Sequence, residues 1–590
     1  MGARADCGAT EGALRSAMRE AITALEPSFH PDSLGLADAM SRFYSANSFE
    51  PYWFDSRCRP LLGREVLAVL FEASTHGIDP HAYSVVRLST LLSSVARQGS
   101  VPPSELVEID LALTAALFRY LAHLHGGRVD PRQLVPNFTP ADDKLDLSET
   151  VRHALVAGSL QEAVDAAAPR YPAYRRLRRA LERYRALEHG GFREPLSVLA
   201  RLRPGEPYPA LPALRDRLVA LGDMTEDAQV PARYTGEIVE AVRRFQERHG
   251  LAADGVIGPA TFAQLNTPLS HRVRQIELSL ERLRWLPRLD AERLIVVNIP
   301  EFRVRALDLL RGSSSVLLDM RAIVGRAFVT ETPVFLGRVK NIELSPYWNV
   351  PASIAKLELV PRLRRDPDYL RREGMEFVST GNETIVSTEA SKANLLALSS
   401  GELRLRQRPG PRNVLGGVKF PLSSSLDIYL HGTSDPALFD LTKRDLSHGC
   451  IRIEQPDALA HLLLADQGDW TIDRLREAMH TGKPTSVNLS EPVPVLIFYT
   501  TAVVEPGGRI LFLPDVYGHD RALQRALDAT PRPDRRGTSP ESAAADGNHS
   551  VTGPQTGSYR NGDLQSGGVQ PAHPSSLFRI RDARSCASCR

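Results

Sequence analysis

The sequence predicts a multidomain α+β chain: a helical N-terminal region, a small three-helix unit, a mainly β domain with a charged insertion, and a disordered C-terminal tail. Three observations lead there. At 590 residues the chain holds three or four domains of ordinary size, each able to bury its own core. Helical apolar spacing dominates the first half, whereas short apolar segments set off by Gly and Pro dominate after about residue 290. From about Thr530 apolar residues thin out and Gly, Ser and Pro take over, a composition that cannot bury a core.

The elements follow in order. Residues 1–30 form an N-terminal segment, and residues 31–200 read as a helical domain punctuated by SANSFEPYWFDS, THGIDPHAY and HGGRVDPRQL. Within it Ile109–Leu124 is a long, mostly buried helix that His125-Gly126-Gly127 ends. His76, His123 and His125 lack any metal-ligand spacing and read as solvent or packing residues. Residues 205–268 form the three-helix unit: Leu211, Leu214 and Leu218 recur at helical spacing, as do Ile238, Ala241, Val242 and Phe245. Asp254-Gly255 makes a turn, and Pro259 opens the next helix at the position where proline is favoured. A linker helix, Arg272–Trp285, leads into the β domain at residues 290–525. There Leu294–Pro300 and Met320–Arg326 read as strands, and the apolar run Val493–Val504, broken by Pro494, reads as another. VPVLIFYTTAVV and GRILFLPDVYGHD look like a closing strand pair, after helices at Asp457–Leu464 and Trp470–Met479. Residues 353–412 are a charged, partly helical insertion, and residues 530–590 are the tail.

Composition excludes several functions. Charged residues at 24% and apolar ones at 42% suit a soluble protein, and a formal charge of +2 argues against bulk nucleic-acid binding. No apolar run approaches the roughly 18 residues of a membrane span. Five cysteines occur, at positions 7, 58, 450, 586 and 589. None has a partner set with metal-ligand spacing, so no metal and no cofactor is expected. The terminal Cys586-x-x-Cys589 leaves a disulfide open.

The chemistry gathers in Leu426–Ile453, LDIYLHGTSDPALFDLTKRDLSHGCIRI. Leu426, Ile428 and Leu430 alternate with Asp427, Tyr429 and His431, as in a half-buried strand. Ile451 and Ile453 likewise alternate with Cys450 and Arg452. Pairing the two strands brings Tyr429, His431, Cys450 and Arg452 together. A thiol with a pKa of roughly 8.5 is a poor nucleophile at neutral pH until a base or cation favours the thiolate. His431 is the candidate base, with His448 or Arg452 adding positive potential. Gly449 admits close backbone approach, which makes the amides of Gly449 and Cys450 candidates for an oxyanion hole. Most free cysteines are inert packing residues; the flanking Ser447-His448-Gly449 and the His431 strand set this one apart.

HGT…SHGCIR resembles the signature of the YkuD-type L,D-transpeptidase catalytic domain. The resemblance implies Cys450 as nucleophile, His431 as proton acceptor and donor, and Ser447, His448, Gly449 and Arg452 as the rest of the motif. Tyr429 matches an aromatic of the large murein L,D-transpeptidases. Where the family often has Asn shortly after the Arg, this chain has Gln455. FY…FEPYW and HGIDP resemble the scaffold domain of those large enzymes, and AVRRFQERHGLAADGVIGPATFAQLN resembles the peptidoglycan-binding domain. Thr332-Pro333 and SPYWNVP at Ser345–Pro351 also match; Tyr347 and Trp348 either line a groove or fill a core. The insertion at 353–412 corresponds to a lid or is a surface elaboration. The resemblance implies peptidoglycan stem peptides and glycan as partners, 3→3 cross-linking with release of D-Ala, and carbapenem sensitivity. The same nucleophile with water or a protein lysine as acceptor gives an L,D-carboxypeptidase or a protein-to-murein anchoring enzyme, and a non-catalytic cell-wall-binding protein is the alternative of another class. A murein enzyme works in the periplasm or cell envelope, yet MGARADCGATEGALRSAMREAITALEP has no apolar stretch of a secretory signal. An export segment upstream of Met1 is the expectation.

Overall fold

The computed structural model describes residues 11–24, 35–54, 59–97, 101–140, 144–190, 194–287, 289, 291–309 and 315–529. The expectations for the first ten residues, for the tail from residue 530, and for Cys7, Cys58, Cys586 and Cys589 lie outside the described residues.

The N-terminal region is helical, organised around Pro103–Gly126. That helix starts six residues before the apolar stretch that announces it, because Pro103 sits where a missing N–H costs nothing. The FEPYW segment docks onto it through a buried network. The Trp53 amide donates to Asp110 Oδ2 at 2.9 Å, the Tyr44 hydroxyl to Asp110 Oδ1 at 2.6 Å, and the Trp53 indole to Thr114 Oγ1 at 2.8 Å. His76 and His123 are packing residues, each within 3.1 Å of a tyrosine hydroxyl.

The three-helix unit comprises Leu211–Leu221, Glu237–Arg248 and Pro259–Leu265. A buried Arg248–Asp223 pair (Nε to Oδ1, 2.7 Å) ties its second helix to the turn after its first. The linker helix, Leu269–Arg284, is a spine rather than a tether, since nearly every face of it is covered. On one side Glu281 accepts from the amide of Val129 at 3.1 Å and pairs with Arg284 at 2.6 Å. On the other, Gln275 donates to the carbonyls of Thr501 and Leu513.

The β domain begins with β1 (Arg293–Asn298), β2 (Arg303–Asp308), β3 (Ser315–Gly325) and β4 (Phe335–Leu344). Next come β5 (Trp348–Asn349), just before the insertion, and within the insertion β6 (Met375–Ser379), β7 (Ile385–Ser387) and β8 (Leu403–Gln407). Then come β9 (Val418–Pro421), β10 (Tyr429–His431), β11 (Asp445–Ser447), β12 (Ile451–Ile453) and β13 (Thr485–Phe498), and last β14 (Ala502–Val504) and β15 (Ile510–Phe512). Nine strands form one sheet in the order β11-β3-β12-β10-β9-β4-β13-β1-β2, and β2 also pairs with β3, so the sheet closes on itself. The long β3 makes closure possible: its first part pairs with β2 and its last residues with β12 and β11.

Two strand expectations change. VPVLIF is not half of a closing pair but the centre of the sheet, between β4 and β1, and only β14 and β15 pair with each other. Pro494 does not break β13. It lies opposite Arg338 of β4, after the irregularity between Asn488 and Val493 and just before the pairing with β1 begins at Val495, an edge position that proline tolerates. The insertion builds a sheet of its own, β5-β8-β6-β7, over a separate apolar cluster.

Candidate active site

The site lies where β10 and β12 run parallel, with Leu430 opposite Ile451 and His431 opposite Arg452. Leu430 and Ile451 are fully buried in the main core, worth roughly 1.5–3 kcal/mol each, and this fixes the opposite face of the two strands toward the insertion. The expected strand from Leu426 is shorter: β10 begins at Tyr429, because Asp427 is left-handed at φ 48°. That turn brings the Asp427 carbonyl within 3.9 Å of Cys450 Sγ. Nor is the face a solvent-facing polar one. Tyr429 and His431 are buried, and Tyr429 joins the insertion's apolar cluster, against which Cys450 also packs.

Strand register explains the electrostatics. Lys419 of β9 lies opposite His431, which lies opposite Arg452. Residues in register share a face, so one row holds Lys419, His431 and Arg452. Burial, with help from Arg452 and Lys419, drives the His431 pKa down to about 3 against the backbone carbonyls of Gly432 and Leu415, which favour its protonated form. The ring is therefore neutral at rest, and its Nδ1 is buried without a partner; in the tautomer protonated at Nε2, Nδ1 is the atom that accepts a proton. Burial raises the Cys450 thiol; the amide and hydroxyl of Tyr429 and the Lys419 charge oppose that rise. Burial also lowers Arg452, whose Nε has no partner. Lys419 lies 4.8 Å from the Tyr429 ring and pairs with Glu343 at 3.2 Å. A neutral thiol, a neutral imidazole and two flanking cations suit attack on an anionic, acyl-bearing substrate.

The turn before the cysteine is held from several sides. Gly449 has φ 113°, which a side chain would strain. Its amide donates to Ser447 Oγ at 3.2 Å, and Ser447 Oγ donates to the Cys450 carbonyl at 2.6 Å. The Gly449 amide thus serves the turn in this state, which leaves that of Cys450 as the oxyanion candidate. Thr332 Oγ1 donates to the Gly449 carbonyl at 2.7 Å and accepts from the Gly325 amide at 2.8 Å. Thr330 Oγ1 donates to the Ser447 carbonyl at 2.9 Å, and the Tyr517 hydroxyl donates to the Gly325 carbonyl at 2.6 Å. His448 turns to the insertion, its Nε2 2.6 Å from Glu358 Oε1.

The structure thus brings Tyr429, His431 and Arg452 onto two adjacent strands, whereas Cys450, expected on the second strand, ends the turn just before β12 that Ser447 and Gly449 also shape. The thiol's neighbours in hydrogen-bonding reach are Tyr429 and the Asp427 carbonyl at 3.9 Å. Sequence reasoning missed Asp427, Glu358, Lys419, Thr330 and Tyr517, and gave Thr332 no role; only Thr332-Pro333 carried a signal. Trp348, just before the insertion, is a core aromatic of its apolar cluster, and Tyr347 lies beneath the Arg406 guanidinium at 4.1 Å. Among the described residues no His, Cys, Asp and Glu cluster could hold a metal.

Three family matches bear on this architecture. Residues 292–503 match the family described as "L,D-transpeptidase catalytic domain", of YkuD type. Residues 208–265 match "Putative peptidoglycan binding domain", and residues 38–181 match "Scaffold domain". The chain carries a YkuD L,D-transpeptidase catalytic domain preceded by a scaffold domain and a peptidoglycan-binding domain. A curated relative, "Putative L,D-transpeptidase" of Haemophilus influenzae, is 33% identical over 257 residues, which cover 44% of this chain and 50% of the relative. The chain therefore spans about half the length of the relative it matches. Among solved structures, the L,D-transpeptidase of Xylanimonas cellulosilytica aligns at 16% identity over 52% of this chain and 100% of its own, with a TM-score of 0.16. The L,D-transpeptidase (Yku) of Stackebrandtia nassauensis aligns at 11% identity over 52% and 97%, with a TM-score of 0.21. Scores this low carry no argument.

Proposed function

We propose that this protein is a peptidoglycan L,D-transpeptidase that forms 3→3 cross-links through a Cys450 acyl-enzyme. The observation that carries the reading is the row Lys419–His431–Arg452 beside Cys450, within a domain of the L,D-transpeptidase family. Cys450 Sγ attacks the carbonyl of the third stem residue while His431 Nδ1 takes the thiol proton. The C–N bond to the terminal D-Ala breaks, and His431 returns the proton to the leaving amine. The side-chain amine of a second stem then attacks the thioester; a new amide forms, the C–S bond breaks, and the amine's proton restores the thiol by way of His431. Dividing the exchange into two acyl transfers avoids a direct attack of amine on amide.

Each remaining residue has a task in this scheme. The Cys450 amide receives the developing oxyanion, Ser447 and Gly449 hold the turn that presents it, and Tyr429 donates toward the sulfur. Arg452, with a buried and unpartnered Nε, receives a stem carboxylate, and Lys419 adds positive potential. The peptidoglycan-binding domain at 208–265 keeps the enzyme on the glycan. The substrate places the work in the periplasm or cell envelope. Among the described residues no helix is long and apolar enough to cross a membrane.

Intact-mass spectrometry of the protein exposed to a carbapenem tests the acyl-enzyme. One covalent adduct, mapped to Cys450 and absent from Cys450→Ala, is expected. An unlabelled Cys450, or an adduct on another residue, overturns the proposal.

A further inference from the structure

The insertion and the catalytic turn meet at two contacts of different kind. The first is apolar: Ala355 and Leu359 of the insertion, with Trp348 and Val350 just before it, share a cluster with Tyr429, and Cys450 packs against it. The second is a hydrogen bond, Glu358 Oε1 to His448 Nε2 at 2.6 Å. Ion pairs of the insertion such as Arg372–Asp366 and Arg406–Glu376 are internal to it.

Glu358 reaches across because of local backbone. Residues Ala355–Leu359 form a turn of π-helix between Ala352–Ile354 and Val360–Arg365. Such turns cost hydrogen-bond quality and recur at functional sites. Here the turn keeps Ala355 and Leu359 buried in the insertion's cluster, leaves Leu357 at 77% exposure, and directs Glu358 toward the Ser447–Cys450 turn. The pair is half-sheltered, with side-chain exposures of 29% for His448 and 35% for Glu358. His448 is separated from Cys450 only by Gly449, whose left-handed backbone leaves the turn dependent on its contacts. Ser447 and Thr332 hold the turn from the β domain. Glu358 holds it from the insertion.

We propose that Glu358 is a positioning residue for acyl transfer. Carried by the insertion, it grips His448 and completes the Ser447–Cys450 turn only when the insertion is seated on the catalytic strands. Closure over the substrate and assembly of the reactive geometry are then one event, the arrangement by which a closing segment couples binding to chemistry. This assignment rests on the acyl-transfer reading above. It gives the insertion a share in the rate of the reaction rather than in binding alone.

The test uses the full chain and disaccharide-tetrapeptide, with D-Ala release measured over substrate concentration for wild type, Glu358→Ala and Glu358→Gln. Misplacement of a reacting group by about 1 Å costs about 100-fold in rate. The expected result is a fall in kcat of about 10- to 100-fold for Glu358→Ala with KM changed by less than about threefold. Glu358→Gln, which keeps a hydrogen-bonding oxygen, should recover part of the loss. Alkylation of Cys450 by iodoacetamide, a small reagent that needs no organised turn, should proceed in the variants at least as fast as in wild type. Wild-type kcat in Glu358→Ala, or a rise in KM alone, overturns the role of Glu358 and leaves the acyl-transfer reading intact. Slowed alkylation in the variants also overturns it, by marking a general structural defect. A wild-type protein that releases no D-Ala overturns both.

Discussion

Thr332→Val deletes one hydroxyl and nearly preserves side-chain shape, so it isolates the hydrogen bonds that seat the cysteine turn. Thr332 is 1% exposed. Its Oγ1 satisfies two buried backbone groups, the Gly325 amide at 2.8 Å and the Gly449 carbonyl at 2.7 Å. Leaving a buried polar group without a partner costs about 1–3 kcal/mol, so two orphans together cost about 2–6 kcal/mol if nothing rearranges. That is local free energy, best read by hydrogen exchange, because a multidomain chain has no single unfolding transition. The Gly325 amide should exchange at least tenfold faster in Thr332→Val, and carbapenem acylation of Cys450 should slow by about 10- to 100-fold as the turn relaxes. Thr332→Ser restores the hydroxyl and should restore both. Unchanged exchange at Gly325 together with wild-type acylation in Thr332→Val would refute the claim that this hydroxyl organises the turn.

Further outcomes follow from other parts of the molecule. Asp110, buried in the helical region, has its carboxyl pushed up from 3.8 to about 6 by burial. The native state therefore holds the extra proton: the stability it adds is present below about pH 4 and is lost as pH rises through about 6. A shift of about two units amounts to about 3 kcal/mol, so exchange protection of the Pro103–Gly126 helix should fall between pH 4 and pH 7, and the fall should flatten in Asp110→Asn. Glu281→Ala leaves Arg284 charged and buried, since the two side chains are 2% and 1% exposed; the loss should be about 3–5 kcal/mol, seen as lower protection along Leu269–Arg284. Lys419 lowers the pKa of Cys450, so Lys419→Met should move the pH profile of iodoacetamide alkylation to higher pH, and an unmoved profile would remove Lys419 from the electrostatics of the thiol.

The sequence carried the parts of this structure that local patterning controls. Apolar spacing marked the helix at Glu237–Arg248, and the alternation about Leu430 and Ile451 put His431 and Arg452 on neighbouring strands before any pairing was known. What it missed is set across the chain. Glu358 meets His448 90 residues away, and Thr332 meets Gly449 117 residues away; a charged insertion and a single threonine offer no local pattern that points to either contact. Alternation also overstated β10, because nothing in Leu426-Asp427-Ile428 announces that Asp427 turns left-handed and offers its carbonyl to the thiol. The run about Pro494 looked broken because edge tolerance for proline depends on where a neighbouring strand begins, which only the closed sheet reveals.

Incubation of the purified protein and of Cys450→Ala with disaccharide-tetrapeptide, followed by mass spectrometry, tests the central claim most directly. The account predicts a dimer lacking one D-Ala, formed by the wild type alone. Tripeptide without dimer would contradict cross-linking and make water the acceptor, and unchanged substrate would contradict acyl transfer by Cys450 altogether.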